Sequence, residues 1–399
     1  MDNELRDMNR ERFFILLLIL LAACKKPYNP KVINSPVSFL VVEGVINTND
    51  DSMIKLSRTV NLTSKTTVNP VDNAQLTVEG DDNSRFFLVQ VATGTYKLIG
   101  VRLDPAHKYR LDIVIDGKDY KSDFEQAKIT PPIDSVGFTV VNNKLQLYVN
   151  THDPNNNTRY YRFDYTETWQ FHARYNSAYR SDGVSIVPRH IDPIKGIDET
   201  VYNCFASDSA SSIILGSTAK LTQDVLFQAP ITTVDATSEK IETRYSIVVH
   251  EYALSETGYK FWENLKKNTE QLGSIFDALP SETGGNVHNV NDPKEQVVGY
   301  IGVSTVQSKR IFIDNSQIPQ TWLPIYPYDC GAPDSLYFST PKTGINTVAS
   351  TLIPGLEIPV SAIFSPGSPN PIGYTGSDLQ CVDCTIRGTK KRPDFWIDK

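Results

Sequence analysis

The sequence predicts a mainly β protein: an N-terminal β-sandwich, then a larger β-rich domain with one clear α-helix and a proline-rich C-terminal wrap. Three observations predict it. Short alternating apolar segments separated by turn residues fill 37–130 and resume at Val136. The 19 Tyr and 17 Phe are residue types that favour strands. Only the segment near 255–272 keeps a helical period. A chain of 399 residues suits two or three domains with sizeable cores. Its 39 basic and 46 acidic side chains give a net charge of -7, which argues against a nucleic-acid partner, whose phosphates call for a basic surface.

The chain opens on an address. Phe13 to Ala23 is an unbroken apolar run, too short to span a bilayer but suited to the core of a signal peptide over 1–23. A start at Met8 would give it a cleaner basic beginning. The run ends Leu21-Ala22-Ala23-Cys24, which looks like a bacterial lipobox with Cys24 as the lipidated residue. Several acyl chains on one residue give a stable membrane anchor. Cleavage leaves 42 acids and 36 bases, followed by a tether over 24–36 that begins Lys25-Lys26-Pro27.

Strand segments then follow in order: Ser38 to Val45, Met53 to Leu56, Ala74 to Glu79, Arg85 to Val91, Tyr96 to Ile99 and Tyr109 to Ile115. Asp116-Gly117 is a hairpin signal and Lys118-Asp119-Tyr120 the return strand. This spacing predicts a sandwich over 37–130, Ig-like or prealbumin-like. Thr130-Pro131-Pro132-Ile133-Asp134 reads as the domain boundary, because paired prolines force an extended link. The larger domain, 131–399, is expected to be fibronectin-III-like with insertions. Leu145, Leu147 and Val149 share one strand face, and Tyr161, Phe163 and Tyr165 another. Asp153-Pro154-Asn155-Asn156-Asn157 between them reads as a turn, with too few carboxylates for calcium. Residues 173–245 read as an insertion. Tyr245 to His250 is a strand, and a helix follows, capped by Ser255, with Tyr259, Phe261, Trp262, Leu265 and Leu272 as its apolar stripe. Val297 to Val303 and Ile311 to Ile313 are strands. Residues 316–399 hold 11 of the 24 prolines, a density that argues against long helices and central strands. Their aromatics suggest chain wrapped over the domains.

Past Cys24, four cysteines remain: Cys204, Cys330, Cys381 and Cys384. In an exported protein an even number suggests disulfides, with three connectivities open. A bridge from Cys330 to Cys381 or Cys384 would staple the C-terminal region. Cys381-Val-Asp-Cys384 also allows a redox or metal reading, but no βαβ context and no second ligand pair accompany it. The six histidines, at 107, 152, 172, 190, 250 and 288, are scattered. No metal or cofactor is expected.

The chain resembles the Bacteroidota envelope lipoproteins grouped as domain-of-unknown-function family 4249. The resemblance rests on Leu40-Val41-Val42-Glu43-Gly44, on Thr130 to Val136, on Tyr160-Tyr161-Arg162-Phe163 and on Arg244-Tyr245-Ser246-Ile247. It rests also on Tyr259 to Glu270, on Cys381 to Gly388 and on Lys391 to Trp396. It implies no activity and no catalytic residues. It does imply an accessory role beside TonB-dependent outer-membrane receptors, near which such proteins are often encoded. Surface-exported relatives carry acidic residues after the lipidated cysteine. Lys25 and Lys26 stand there in this chain, which leaves both membrane faces open.

No nucleophile elbow, zinc-protease helix, P-loop or dinucleotide fingerprint occurs, so a non-enzyme is expected. The leading expectation is an outer-membrane-anchored binding or accessory lipoprotein working with a TonB-dependent receptor in nutrient uptake. A structural or adhesive scaffold and a hydrolase with an unrecognised site are the alternatives. Trp169, Phe171, His172, Arg174, Tyr175, Tyr179 and Arg180 form the candidate binding surface, since aromatics beside a polar loop stack on sugars or pack on partners. The competing reading is that Trp169 and Phe171 continue the Tyr165 strand into the core.

Overall fold

Alternation along the early strands builds the first sandwich. In Ser52–Arg58, Met53 and Lys55 are exposed while Ser52, Ile54 and Leu56 are buried. The computed structural model describes residues 38–60, 68–270 and 285–397, so the expected signal peptide, Cys24, the expected tether and Leu272 lie outside the described residues. One sheet runs in the order Val297–Val298, Leu40–Asn47, Ser52–Arg58, Thr95–Leu98, Val89–Ala92. The facing sheet runs Val287–Asn289, Lys118–Ser122, Lys108–Ile115, Gln75–Gly80, Arg85–Phe87. Leu40, Val42, Ile54 and Leu56 meet Leu76, Val78, Leu111 and Tyr120 between them. Asp116 and Gly117 both take positive φ, as a two-residue hairpin matched to strand twist requires.

The sandwich over 37–130 is not contiguous. Leu40–Asn47 pairs in parallel with Val297–Val298 and Gly302–Ser304, and Val287, Val297, Ile301 and Val303 enter the same core. Gly299 joins the two returning strands at φ +147, where an added Cβ would lie 2.1 Å from the Val42 carbonyl oxygen. The Pro131-Pro132 link therefore does not end the first sandwich, which takes up residues from both sides of it in the chain. Thr130 N–H donates to Thr305 Oγ1 at 2.8 Å, next to that return.

The second sandwich stacks Ile133–Val141, Lys144–His152 and Val225–Asp235 on a sheet ordered Asn203–Ser209, Tyr160–His172, Arg244–Ala253, Val306–Asp314, with Ile214–Ser217 also on Tyr160–His172. Leu145, Leu147 and Val149 face Tyr161, Phe163, Tyr245, Ile247 and Val249. Two packed antiparallel sheets of this kind are the expected fibronectin-III-like arrangement. The insertion expected over 173–245 is a correction. Asn203–Ser209, Ile214–Ser217 and Val225–Asp235 are strands of the sandwich itself. Only about 174–202 leaves it, as two short hairpins. The sequence hid this because Gly, Ser and Asp punctuate strands that pair with partners far along the chain. The 153–157 turn is as expected: Asp153 accepts the N–H groups of Asn155, Asn157 and Thr158 at 2.9 Å.

The helix is Glu256–Glu270, with Gly258 N–H donating to Ser255 Oγ at 3.2 Å and Phe261 buried. The C-terminal region departs from a plain wrap. Asp334–Tyr337, Pro371–Ser377 and Ile358–Phe364 form a third sheet with Pro371–Ser377 at its centre, over a small core of Leu336, Val348, Leu352 and Tyr374. Prolines are tolerated because Pro371 opens its strand and the pairing of Ile358–Phe364 is irregular after Pro359. Two disulfides, Cys204–Cys384 and Cys330–Cys381, use all four cysteines. They fasten this sheet and the chain around it to strand Asn203–Ser209.

Candidate functional site

Strand parity decides the fate of the expected surface. Along Tyr160–His172 the inward positions include Trp169 and Phe171, which are 8% and 0% exposed. Both belong to the second core and are corrected from surface to packing residues. Tyr179 packs edge-on against Tyr374 at 5.1 Å in the third core. Arg180 Nε lies 2.8 Å from Glu199 within the excursion. The seven residues thus do not form one surface.

His172, Arg174 and Tyr175 do converge, on residues that the sequence reading missed. His172 stacks on Tyr202 at 4.7 Å, and its Nε2 is 3.1 Å from Glu242 Oε1. Tyr326 Oη donates to the same carboxylate oxygen at 2.6 Å. Burial, then the Glu242 carboxylate, pushes the Tyr326 hydroxyl above its ordinary 10, so it stays a proton donor at neutral pH. The Arg174 guanidinium lies 5.3 Å from the Tyr326 ring centre and 5.9 Å from that of Tyr175. Tyr175 Oη donates to the Gly331 carbonyl at 2.6 Å. Arg174 and the run Pro324–Cys330 line an open groove of about 470 Å³.

A second groove, of about 590 Å³, is lined by Asn142, Asn143, residues 235–237 and Thr321, Trp322 and Leu323. The segment 321–330 is therefore a ridge that lines both grooves, one with Thr321 to Leu323 and the other with Pro324 to Cys330. It is held firmly: Trp322 packs on the second core, Ile325 N–H donates to the Thr237 carbonyl at 2.8 Å, and Cys330 is bridged to Cys381. Its prolines restrict the backbone. From this fixed ridge Leu323 and Ile325 project, 72% and 70% exposed. Each groove holds one carboxylate, Asp235 or Asp329, and neither is lined by a serine or histidine. Among the described residues no group of three or more His, Cys, Asp or Glu is placed to hold a metal ion. No described helix is long and apolar enough to cross a membrane. The ridge offers apolar, aromatic and cationic contacts, the chemistry of recognition.

Among solved structures, a two-domain fibronectin type III segment of chicken tenascin is similar at 11% identity, covering 54% of this chain and 91% of that one, with a TM-score of 0.16. A DUF4785 family protein from Legionella pneumophila is similar at 7% identity, covering 53% of this chain and 52% of that one, with a TM-score of 0.15. No curated protein matches. The profile of a family described as "Domain of unknown function (DUF4249)" matches residues 25–310, a stretch that takes in the return strands of the first sandwich and nearly all of the second. On that match the chain belongs to the DUF4249 family.

Proposed function

We propose that the protein is a non-enzymatic, lipid-anchored binding or accessory component of the outer membrane that presents the 321–330 ridge to a TonB-dependent receptor in nutrient uptake. The observation that carries this reading is the exposure of Leu323 and Ile325 on a segment fastened along its length. Large exposed apolar residues on a fixed support, rimmed by aromatics and an arginine, suit a partner surface. A segment already rigid loses little entropy on docking. The Leu21-Ala22-Ala23-Cys24 lipobox supports the anchor, and the resemblance to receptor-associated lipoproteins supports the partner.

The test is affinity capture of the tagged protein from solubilised outer membranes. The wild type recovers a β-barrel receptor. The double variant Leu323→Asp with Ile325→Asp, still folded, recovers at least tenfold less. Cys24→Ala moves the protein from the membrane to the soluble fraction. Recovery of the lipoprotein alone, or equal recovery by the double variant, refutes the receptor reading.

A further inference from the structure

The outer face of the sheet built on Tyr160–His172 is covered at both ends and open between them. At one end the helix Glu256–Glu270 lies across it. Tyr259 rests on Tyr160 at 4.9 Å, and the Arg162 guanidinium sits 4.2 Å from the Tyr252 ring centre and 4.8 Å from that of Trp262. At the other end Trp396 meets Phe205 at 5.0 Å and Phe312 at 5.5 Å, residues on the two outer strands, so it bridges the sheet. Arg162 and Thr168, one under each cover, are six positions apart on one strand, about 20 Å.

Register fixes what lies in the gap. One cross-strand row is Asp164, His250 and Ser308. The next is Ser209, Thr166, Val248 and Arg310. Ser209 and Ser308 are exposed, and the others are half-buried. His250 Nδ1 is taken by Asp164 at 2.8 Å, which leaves Nε2 for a ligand.

Arg310 sets the ligand class. Its Nη1 donates to Ser246 Oγ at 3.0 Å, and its guanidinium lies 3.6 Å from the Phe395 ring centre. On the same face, Arg162 has Asp164 at 3.6 Å and Arg244 has Asp314 at 3.5 Å. Arg310 has no carboxylate within ion-pair distance among the described residues, and burial lowers its affinity for its proton. A half-buried cation without a counter-ion keeps its desolvation cost, and a carboxylate meeting the planar fork of donors would offset it. Ser308, two residues along the same strand, and Thr166 and Ser209, two and three strands away in the same row, carry hydroxyls that can both donate and accept, as sugar hydroxyls do. Val248 and the Phe395 ring offer apolar surface for the C–H face of a pyranose.

We propose that this trough binds an acidic oligosaccharide of the uronate class, one carboxylate on Arg310 and the hydroxyls of its successive rings reaching Ser308 and His250 and, across the row, Thr166 and Ser209. The inference is independent of the ridge and of any receptor.

The test is isothermal titration calorimetry with galacturonate and glucuronate oligosaccharides, each paired with its methyl ester as the uncharged control. At least one acidic saccharide should bind, tenfold or more tighter than its ester. Arg310→Gln should weaken that binding at least tenfold. Ser308→Trp, at an exposed position, should fill the trough and abolish binding while the near-ultraviolet circular dichroism stays native. Arg174→Gln, in the ridge groove, should leave binding unchanged. No binding of either acidic saccharide at millimolar concentration overturns the proposal. So does equal binding of the esters, undiminished binding by Arg310→Gln or Ser308→Trp, or equal loss in Arg174→Gln. Loss of receptor capture by the Leu323 and Ile325 double variant alone leaves this result untouched.

Discussion

Glu251 lies between the two sheets of the second sandwich at 0% exposure. Thr151 Oγ1 donates to its Oε1 at 2.9 Å, and its Oε2 has no hydrogen-bond partner. Burial, joined by the nearby Asp134 and Asp224 charges, raises its carboxyl from the ordinary 4.5 to about 8. The sign follows from proton binding. Between those two values the folded protein keeps a proton that the unfolded chain has released, so stability falls as pH rises. Each pH unit in that window costs about 1.4 kcal/mol, so the loss at pH 7 is about 3 kcal/mol, and it levels off above about pH 8. Glu251→Gln keeps the acceptor for Thr151 and removes the charge. The variant should match the wild type at about pH 5 and exceed it by about 3 kcal/mol at about pH 7.5. Urea unfolding of both proteins at the two pH values, followed by tryptophan emission, measures this, since Trp169 sits in the same core. Parallel pH dependence of wild type and variant would refute the reasoning: it would mean that Glu251 is already ionised in the fold.

Two further outcomes are expected. Replacing Cys204 and Cys384 together by Ala opens a bridge with a sequence separation of 180 and should cost about 5 kcal/mol by the chain-entropy estimate. Thermal unfolding measures the cost, and peptide mapping without reductant should find Cys204 joined to Cys384 and Cys330 joined to Cys381 in the wild type. Gly299→Ala combines a backbone angle rare for L residues with a Cβ 2.1 Å from the Val42 carbonyl oxygen. It should cost at least about 2 kcal/mol and raise hydrogen exchange along Leu40–Asn47.

Local pattern carried most of the strands. Met53 against Ile54, or Gln146 against Leu147, shows a period of two that needs no partner to be seen. Pairing across hundreds of positions has no such signature. Nothing near Val297 says that it joins Leu40, and nothing near Val225 says that it closes on His152. Hence the first sandwich looked contiguous, and 203–235 looked like an excursion. The site suffered in the same way. Parity along one strand, extended from Tyr165, would have buried Trp169 and Phe171. The competing interior reading of those two was the sound one. Glu242 and Tyr326 meet His172 only through tertiary packing, and the Arg310 row depends on the joint register of four strands. Cysteine count indicated bridges, while connectivity had to come from the fold.

The parallel seat of Leu40–Asn47 has a mechanical consequence. This strand is where the chain enters the sandwich, and it has Ser52–Arg58 antiparallel on one flank and Val297–Val298 and Gly302–Ser304 parallel on the other. A pull at its N-terminal end, directed along the strand, loads the hydrogen bonds of both flanks at once, in shear, where a peeling pull would open them one after another. Any load applied to the chain at Leu40 would thus be met along a stiff direction, and tension would pass straight into residues from the far side of the chain.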